Sequence, residues 1–169
     1  GYLYELADCY KQTIDAANLK FDCIYGPAYK GIFLGSIIAV ILDQNGFKYP
    51  LSFNRKEVKD HGEGGNVIGK NPSGDVLIVD DVISAGTAAK ESIEMIKSAG
   101  AYPKIMLVGL DRQEKGSGNL SARRELEEEY DMKVISIINL DTLIAYSESN
   151  PGFENHLDRL QEYRNQWGA

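Results

Sequence analysis

The sequence predicts a single α/β domain over residues 1–169, a mostly parallel twisted sheet flanked by helices. Three observations carry this. Apolar runs of strand length alternate with longer segments of helical period. Two runs, Val76-Leu77-Ile78-Val79 and Ile105-Met106-Leu107-Val108, are continuously apolar, as expected of strands covered on both faces. No repeat or linker divides the 169 residues, a length typical of one domain.

In chain order the pattern predicts a helix over 2–17, a strand over 21–25, a helix over 31–45 and a strand over 49–53. A strand over 76–82, a helix over 88–99, a strand over 104–110, a helix over 122–130 and a strand over 133–138 follow. Two more helices, 140–146 and 153–165, close the pattern. Gly46 and Gly100 sit where helix stops are expected. Strands alternating with helices imply parallel pairing. The segment 54–74 does not fit: it holds five glycines, Pro72 and a basic cluster, with almost no apolar residues. It reads as a loop, and so long a loop is functional or disordered.

Charge and composition exclude several classes. A net charge of −7 argues against nucleic acid, which needs a basic face. Arg55, Lys56, Lys59 and His61 instead form a local anion site in an acidic chain. The acidic run 125–129 reads as a solvated helix face. No apolar stretch approaches the roughly 20 residues of a membrane span. The opening Gly1-Tyr2-Leu3-Tyr4-Glu5 has neither the basic nor the apolar region of a secretory signal. Cys9 and Cys23 lack metal-ligand spacing and read as reduced packing residues of a cytoplasmic protein.

The strongest chemical signal runs from Val76 to Ala88. A buried strand ends in Asp80-Asp81, and Val82-Ile83-Ser84-Ala85-Gly86-Thr87-Ala88 turns the chain into a helix. In open α/β sheets, ligands bind beyond the carboxyl ends of strands. This turn can aim backbone N–H groups and the Ser84 and Thr87 hydroxyls at one point, with Gly86 permitting close approach. The helix dipole adds a positive end, so the turn suits a phosphate dianion. The aspartates would repel that phosphate and suit the hydroxyls of an attached sugar, or a magnesium-bound face. On a strand they point to opposite faces, so their roles should differ. The plainer reading is a capping turn beside two solvated carboxylates.

This segment resembles the phosphoribosyl-pyrophosphate signature of the type I phosphoribosyltransferases, a Rossmann-like fold. The resemblance implies that Asp80 and Asp81 hold the ribose hydroxyls while Ile83, Ser84, Ala85, Gly86, Thr87 and Ala88 wrap the 5′-phosphate, with Val82 also among the residues that bind phosphoribosyl pyrophosphate. Three further stretches resemble the orotate branch. Residues 54–65, with Arg55, Lys56, Lys59 and His61, look like its mobile catalytic loop, which the resemblance extends over about 54–74. Tyr25-Gly26-Pro27-Ala28-Tyr29-Lys30-Gly31 looks like its pyrophosphate-contacting loop, with Tyr29 and Lys30 ending a strand. Leu110-Asp111-Arg112-Gln113-Glu114 resembles the segment carrying an orotate-binding arginine.

The resemblance implies transfer of ribose 5-phosphate from phosphoribosyl pyrophosphate to orotate. Lys59, His61, Lys56 and Asp81 would be catalytic, and Ser84 and Arg112 would bind orotate. Mg2+ would be the cofactor, held mainly through substrate pyrophosphate and water with no direct protein ligand. The protein would be a cytoplasmic homodimer with shared active sites. Residue chemistry points the same way. Cations suit a leaving pyrophosphate, His61 can donate a hydrogen bond or proton, and Gly62, Gly64 and Gly65 would let the segment close. A guanidinium suits the carboxylate that distinguishes orotate from uracil.

Plainer readings stand beside these: a solvated disordered loop, a surface lysine, and an Arg112 paired with Asp111 or Glu114. His156 reads as structural. The relatives carry a lysine and paired aromatics ahead of the first helix, a stretch with no match here. A regulator sensing phosphoribosyl pyrophosphate, or a transferase for another base, is the alternative function.

Overall fold

A computed structural model describes residues 1–55, 66–84 and 86–169, with Glu154 described by its backbone alone. The apolar runs become β1 (Cys23–Gly26), β2 (Leu51–Asn54), β4 (Asp75–Ile83), β5 (Tyr102–Asp111) and β6 (Lys133–Asn139), with β3 (Val67–Gly69) between β2 and β4. They form one six-stranded sheet in the order β3-β2-β1-β4-β5-β6. Among the described residues of this sheet, β2 and β3 pair antiparallel and every other neighbouring pair of strands is parallel. Helices α1 (Tyr2–Ala16), α2 (Lys30–Gln44), α3 (Thr87–Ser98), α4 (Ala122–Tyr130), α5 (Leu140–Ser149) and α6 (Glu154–Trp167) complete the fold.

The continuous apolar strands are explained by two cores. Val76 and Ile78 of β4 pack with Ile93 and Ile96 of α3 and Leu126 of α4. Leu77 and Val79 face the other way, onto Tyr10 and Ile14 of α1 and Leu34, Ile38 and Leu42 of α2. A strand with helices on both faces has no solvent side to carry polar residues. Each fully buried side chain of this size contributes about 1.5–3 kcal/mol. At Gly31, in the first turn of α2, a Cβ would lie 2.6 Å from Pro27 Cδ and 2.9 Å from the Val79 carbonyl oxygen. No side chain fits there, so α2 begins hard against the carboxyl ends of β1 and β4.

The structure changes several expectations. β1 and β2 start two residues late, because Phe21 and Tyr49 stack with ring centroids 4.3 Å apart and extend the apolar pattern beyond the ladder. The segment 54–74 is not all loop: Val67–Gly69 adds an edge strand too short for its pattern to register. Cys23 is buried, but Cys9 is exposed rather than packed, lying off the buried stripe of Ala7, Tyr10 and Ile14. The acidic run 125–129 is more than a solvated face. Glu125 accepts from Ser117 N and Oγ and from Gly118 N, Glu127 accepts from Val134 N at 3.2 Å, and Glu129 pairs with Lys90 at 2.7 Å. Gly46 and Gly100 do terminate α2 and α3, with left-handed φ of 88° and 81°. Among the described residues no helix is long and apolar enough to cross a membrane.

Candidate active site at the switch point of the sheet

From β1 the chain crosses through α2 to β2 on one side, and from β4 it crosses through α3 to β5 on the other. The carboxyl ends of adjacent β1 and β4 therefore border a crevice, the usual ligand position in such sheets. Lys30 is not at a strand end: β1 stops at Gly26, residues 27–29 turn the chain, and Lys30 is the first residue of α2. The Ala28–Tyr29 peptide is cis. Ala28 N donates to Asn54 Oδ1 at 2.8 Å, so the end of β2 holds this turn. Lys30 Nζ donates to Asp81 Oδ2, an ion pair that spans the crevice. That bond raises the lysine's proton affinity.

The alternation along β4 separates the two carboxylates as expected. Asp81 follows Leu77 and Val79 on the α2 side and meets Lys30. Asp80 follows Val76 and Ile78 on the α3 side. There it lines a cavity of about 240 Å³ with Val82, Ile83, Ser84, Gly86, Thr87 and Ala88. Gly86 takes φ 82° as the N-cap of α3, a conformation that costs glycine little. The first turn of α3 carries no acidic residue, and its positive end, whose N–H groups have no partner within the helix, borders the cavity. Burial pushes the Asp80 carboxyl up to about 6 and the Asp81 charge adds to this, against the Asp81 N–H that donates to Asp80 Oδ1 at 2.8 Å.

A buried residue that the sequence does not single out supports this strand end. Tyr10 Oη donates to the Asp80 carbonyl at 2.7 Å. Across the sheet, a Cβ at Gly109 would fall 2.9 Å from the Asp81 carbonyl oxygen and 3.0 Å from Tyr10 Oη. Burial, with the Asp80 and Asp81 charges, raises the Tyr10 hydroxyl well above its ordinary value and keeps it a donor. Helical spacing marks Tyr10 only as a core residue.

Arg112 follows β5, and its N–H donates to the Ile83 carbonyl at 3.3 Å, beside the start of the cradle. Its charge acts on Lys30, which it makes easier to deprotonate, so the two cations share one field. Arg112 Nη1 lies 3.4 Å from Glu114 Oε1. Glu114, and not the neighbouring Asp111, is thus the ion-pair partner of Arg112. Asp111 is buried, accepts from Gln113 N at 2.8 Å and lies 4.0 Å from Arg123 Nη1. Arg55 N donates to the Asn66 carbonyl at 2.8 Å, closing the root of the β2–β3 pair at the same edge of the sheet. Lys56, Lys59, His61 and Ala85 lie outside the described residues. His156 is on α6, its ring 6.5 Å from that of Phe153.

A family model described as a phosphoribosyl transferase domain matches residues 2–142. An orotate phosphoribosyltransferase of Marinobacter nauticus is 51% identical over 99% of this chain and 79% of its own length. One from Nitrosomonas europaea is 47% identical over 99% of this chain and 74% of its own. The chain belongs to the orotate phosphoribosyltransferase family. The crystal structure of a member from Francisella tularensis superposes with a TM-score of 0.81 at 32% identity, covering 99% of this chain and 77% of that one. Every candidate residue named for substrate or catalysis falls within the 2–142 match. The likeness to the orotate phosphoribosyltransferases runs further, through α6.

Proposed function

We propose that the chain transfers ribose 5-phosphate from phosphoribosyl pyrophosphate to orotate, forming orotidine 5′-monophosphate and pyrophosphate in pyrimidine biosynthesis. The observation that carries this reading is the Lys30–Asp81 pair across the switch point, with a cradle of about 240 Å³ beyond Asp80 and Arg112 beside the start of that cradle. A sugar phosphate with anions at both ends needs that order of groups: cradle, carboxylates, cation. The end of β4 at Val82 and Ile83 and the turn from Ser84 through Ala85 to Ala88 hold the 5′-phosphate through N–H groups and the Ser84 and Thr87 hydroxyls. Asp80 and Asp81 accept from the ribose hydroxyls. Lys30, released from Asp81, Tyr29 and Arg55 meet the pyrophosphate.

The transfer breaks the bond from anomeric carbon to pyrophosphate and forms one to a base nitrogen, through a state with positive charge on the sugar. Lys56 and Lys59 stabilise the charge growing on pyrophosphate, and His61 donates a hydrogen bond or a proton to it. Support for these three comes from the described residues that bracket them: Asn54, Arg55 and Asn66 root the segment at the same edge of the sheet. Arg112, with Ser84, binds orotate through its carboxylate.

Two adjacent carboxylates at a strand end fit a magnesium ion that keeps its waters and takes most of its ligands from substrate oxygens. Asp80 and Asp81 would face it through water or ribose oxygens, and when bound it neutralises pyrophosphate charge. The protein acts in the cytoplasm as a homodimer with shared sites. One assay tests the core of this reading: orotate consumption with phosphoribosyl pyrophosphate and magnesium, with guanine, adenine and uracil as controls. Consumption of orotate alone is the expected result, and turnover of another base in its place would overturn it.

A further inference from the structure

The segment after β5 is held by Asp141, at the end of the general phosphoribosyltransferase match, and by α6 and the residues that follow it beyond that match. Lys115 N donates to the Trp167 carbonyl at 3.0 Å and Ala169 N to the Gln113 carbonyl at 3.0 Å. Gln113 Nε2 donates to Asp141 Oδ2 at 2.8 Å, and Asp141 N returns a bond to Gln113 Oε1 at 2.9 Å. Arg164 of α6 pairs with the same Asp141. This bracing converges on the residue beside Arg112. Tyr163 Oη donates to Glu114 Oε1, the oxygen that also faces Arg112 Nη1 at 3.4 Å. The Glu114 side chain is 15% exposed, against 43% for Arg112, so the carboxylate is the fixed partner and the guanidinium the reachable one.

We infer that Tyr163 is a positioning residue for the base site, holding the Arg112 guanidinium for an incoming carboxylate both through Glu114 and by its own hydrogen bond to Arg112. The inference rests on the reading that Arg112 binds the orotate carboxylate. A guanidinium recognises a carboxylate with two parallel N–H groups in a fixed fork. Glu114 holds one corner of that fork and so orients it. The same carboxylate, if free to swing, would face Arg112 with both oxygens and compete with orotate. The Tyr163 hydroxyl prevents this by occupying Oε1 and tethering it to α6. The match to the general domain ends at residue 142, whereas the orotate relatives match through α6, where Tyr163 lies. A device that tunes carboxylate recognition belongs in that part of the chain.

The test is Tyr163→Phe in the whole chain, which removes one oxygen and keeps the ring. Steady-state assays give the KM for orotate and for phosphoribosyl pyrophosphate, in the wild-type background and with Arg112→Ala, alongside melting temperatures. We expect Tyr163→Phe to raise the orotate KM about three- to tenfold, the range of one ordinary net hydrogen bond, because Tyr163 acts on Arg112 and not on the substrate. The KM for phosphoribosyl pyrophosphate should stay unchanged, and in the Arg112→Ala background the substitution should add nothing. An unchanged orotate KM with Tyr163→Phe, where Arg112→Ala raises it, overturns the inference and leaves the role of Arg112 standing. Equal losses for both substrates, or the same loss in both backgrounds, would make Tyr163 a structural residue and also overturn it. If Arg112→Ala leaves the orotate KM unchanged, the underlying reading of Arg112 fails and this inference falls with it.

Discussion

Replacing Asp80 by Asn should stabilise the ligand-free protein while abolishing tight binding of phosphoribosyl pyrophosphate. The carboxyl ordinarily titrates at 3.8, and burial at the end of β4 first, then the neighbouring Asp81 charge, moves it to about 6. At about 1.36 kcal/mol per pH unit, that corresponds to roughly 3 kcal/mol against the ionised form. Asp80 is only partly buried, and water at the strand end screens the charge, so about 1–2 kcal/mol is the working figure. The sign follows from the direction of the change. A carboxyl raised on folding contributes stability present below 3.8 and lost as pH rises through about 6. Asn cannot ionise, and its Oδ1 can still accept from Asp81 N, so the variant escapes the loss and keeps the local bond. Urea denaturation should show the two proteins nearly equal at about pH 4 and the variant ahead by about 1–2 kcal/mol at about pH 7.5. Titration with phosphoribosyl pyrophosphate should show its affinity reduced at least tenfold, in line with loss of a charged hydrogen-bond acceptor. A variant no more stable than wild type at the higher pH, or a gap that does not change between the two, refutes the reasoning.

Four further outcomes are expected. Arg112→Ala should weaken orotate by about 1.5–3 kcal/mol and leave phosphoribosyl pyrophosphate nearly untouched, read by calorimetric titration with each ligand. Lys59→Ala should lower turnover by roughly a hundredfold, and Lys56→Ala less, in the orotate assay. Gly31→Ala forces a methyl to within 2.6 Å of Pro27 Cδ and should cost about 1–3 kcal/mol, a fall in melting temperature of several degrees. Mixing Asp81→Asn with Lys59→Ala subunits after mild dissociation should restore about a quarter of the sites if strand end and loop come from different protomers; no recovery despite confirmed exchange would refute shared sites.

What the sequence makes legible is what local pattern dictates. Two continuous apolar runs mark strands covered on both faces, and Asp80-Asp81 before Ser84, Gly86 and Thr87 marks a strand end feeding a helix start. Residues whose role comes from a distant partner are not legible. Tyr10 meets the Asp80 carbonyl across 70 positions of chain, and Tyr163 meets Glu114 across 49, and neither bears a local mark beyond helical spacing. Periodicity puts Lys30 at a strand end because it cannot locate the turn at 27–29, which depends on α2 closing onto β1 at Gly31. Val67–Gly69 escaped because an edge strand of that length needs its neighbour, not its composition, to exist.

The doubled aspartate shows why a strand, and not a loop, presents these carboxylates. Two adjacent acids on a loop would turn to the same solvent, and neither would have a fixed direction. On β4 the pleat sends them to opposite faces of the sheet. Asp80 then borders the α3 cradle and Asp81 borders the start of α2, so one strand end addresses two separate neighbourhoods of a single extended ligand. The arrangement also sets the resting state. Asp81 is neutralised by Lys30, which a pyrophosphate would draw away, while Asp80 carries the electrostatic cost until a hydroxyl or a cation arrives. Binding therefore relieves at one carboxylate what it disturbs at the other, and two residues adjacent in sequence come to do different chemistry.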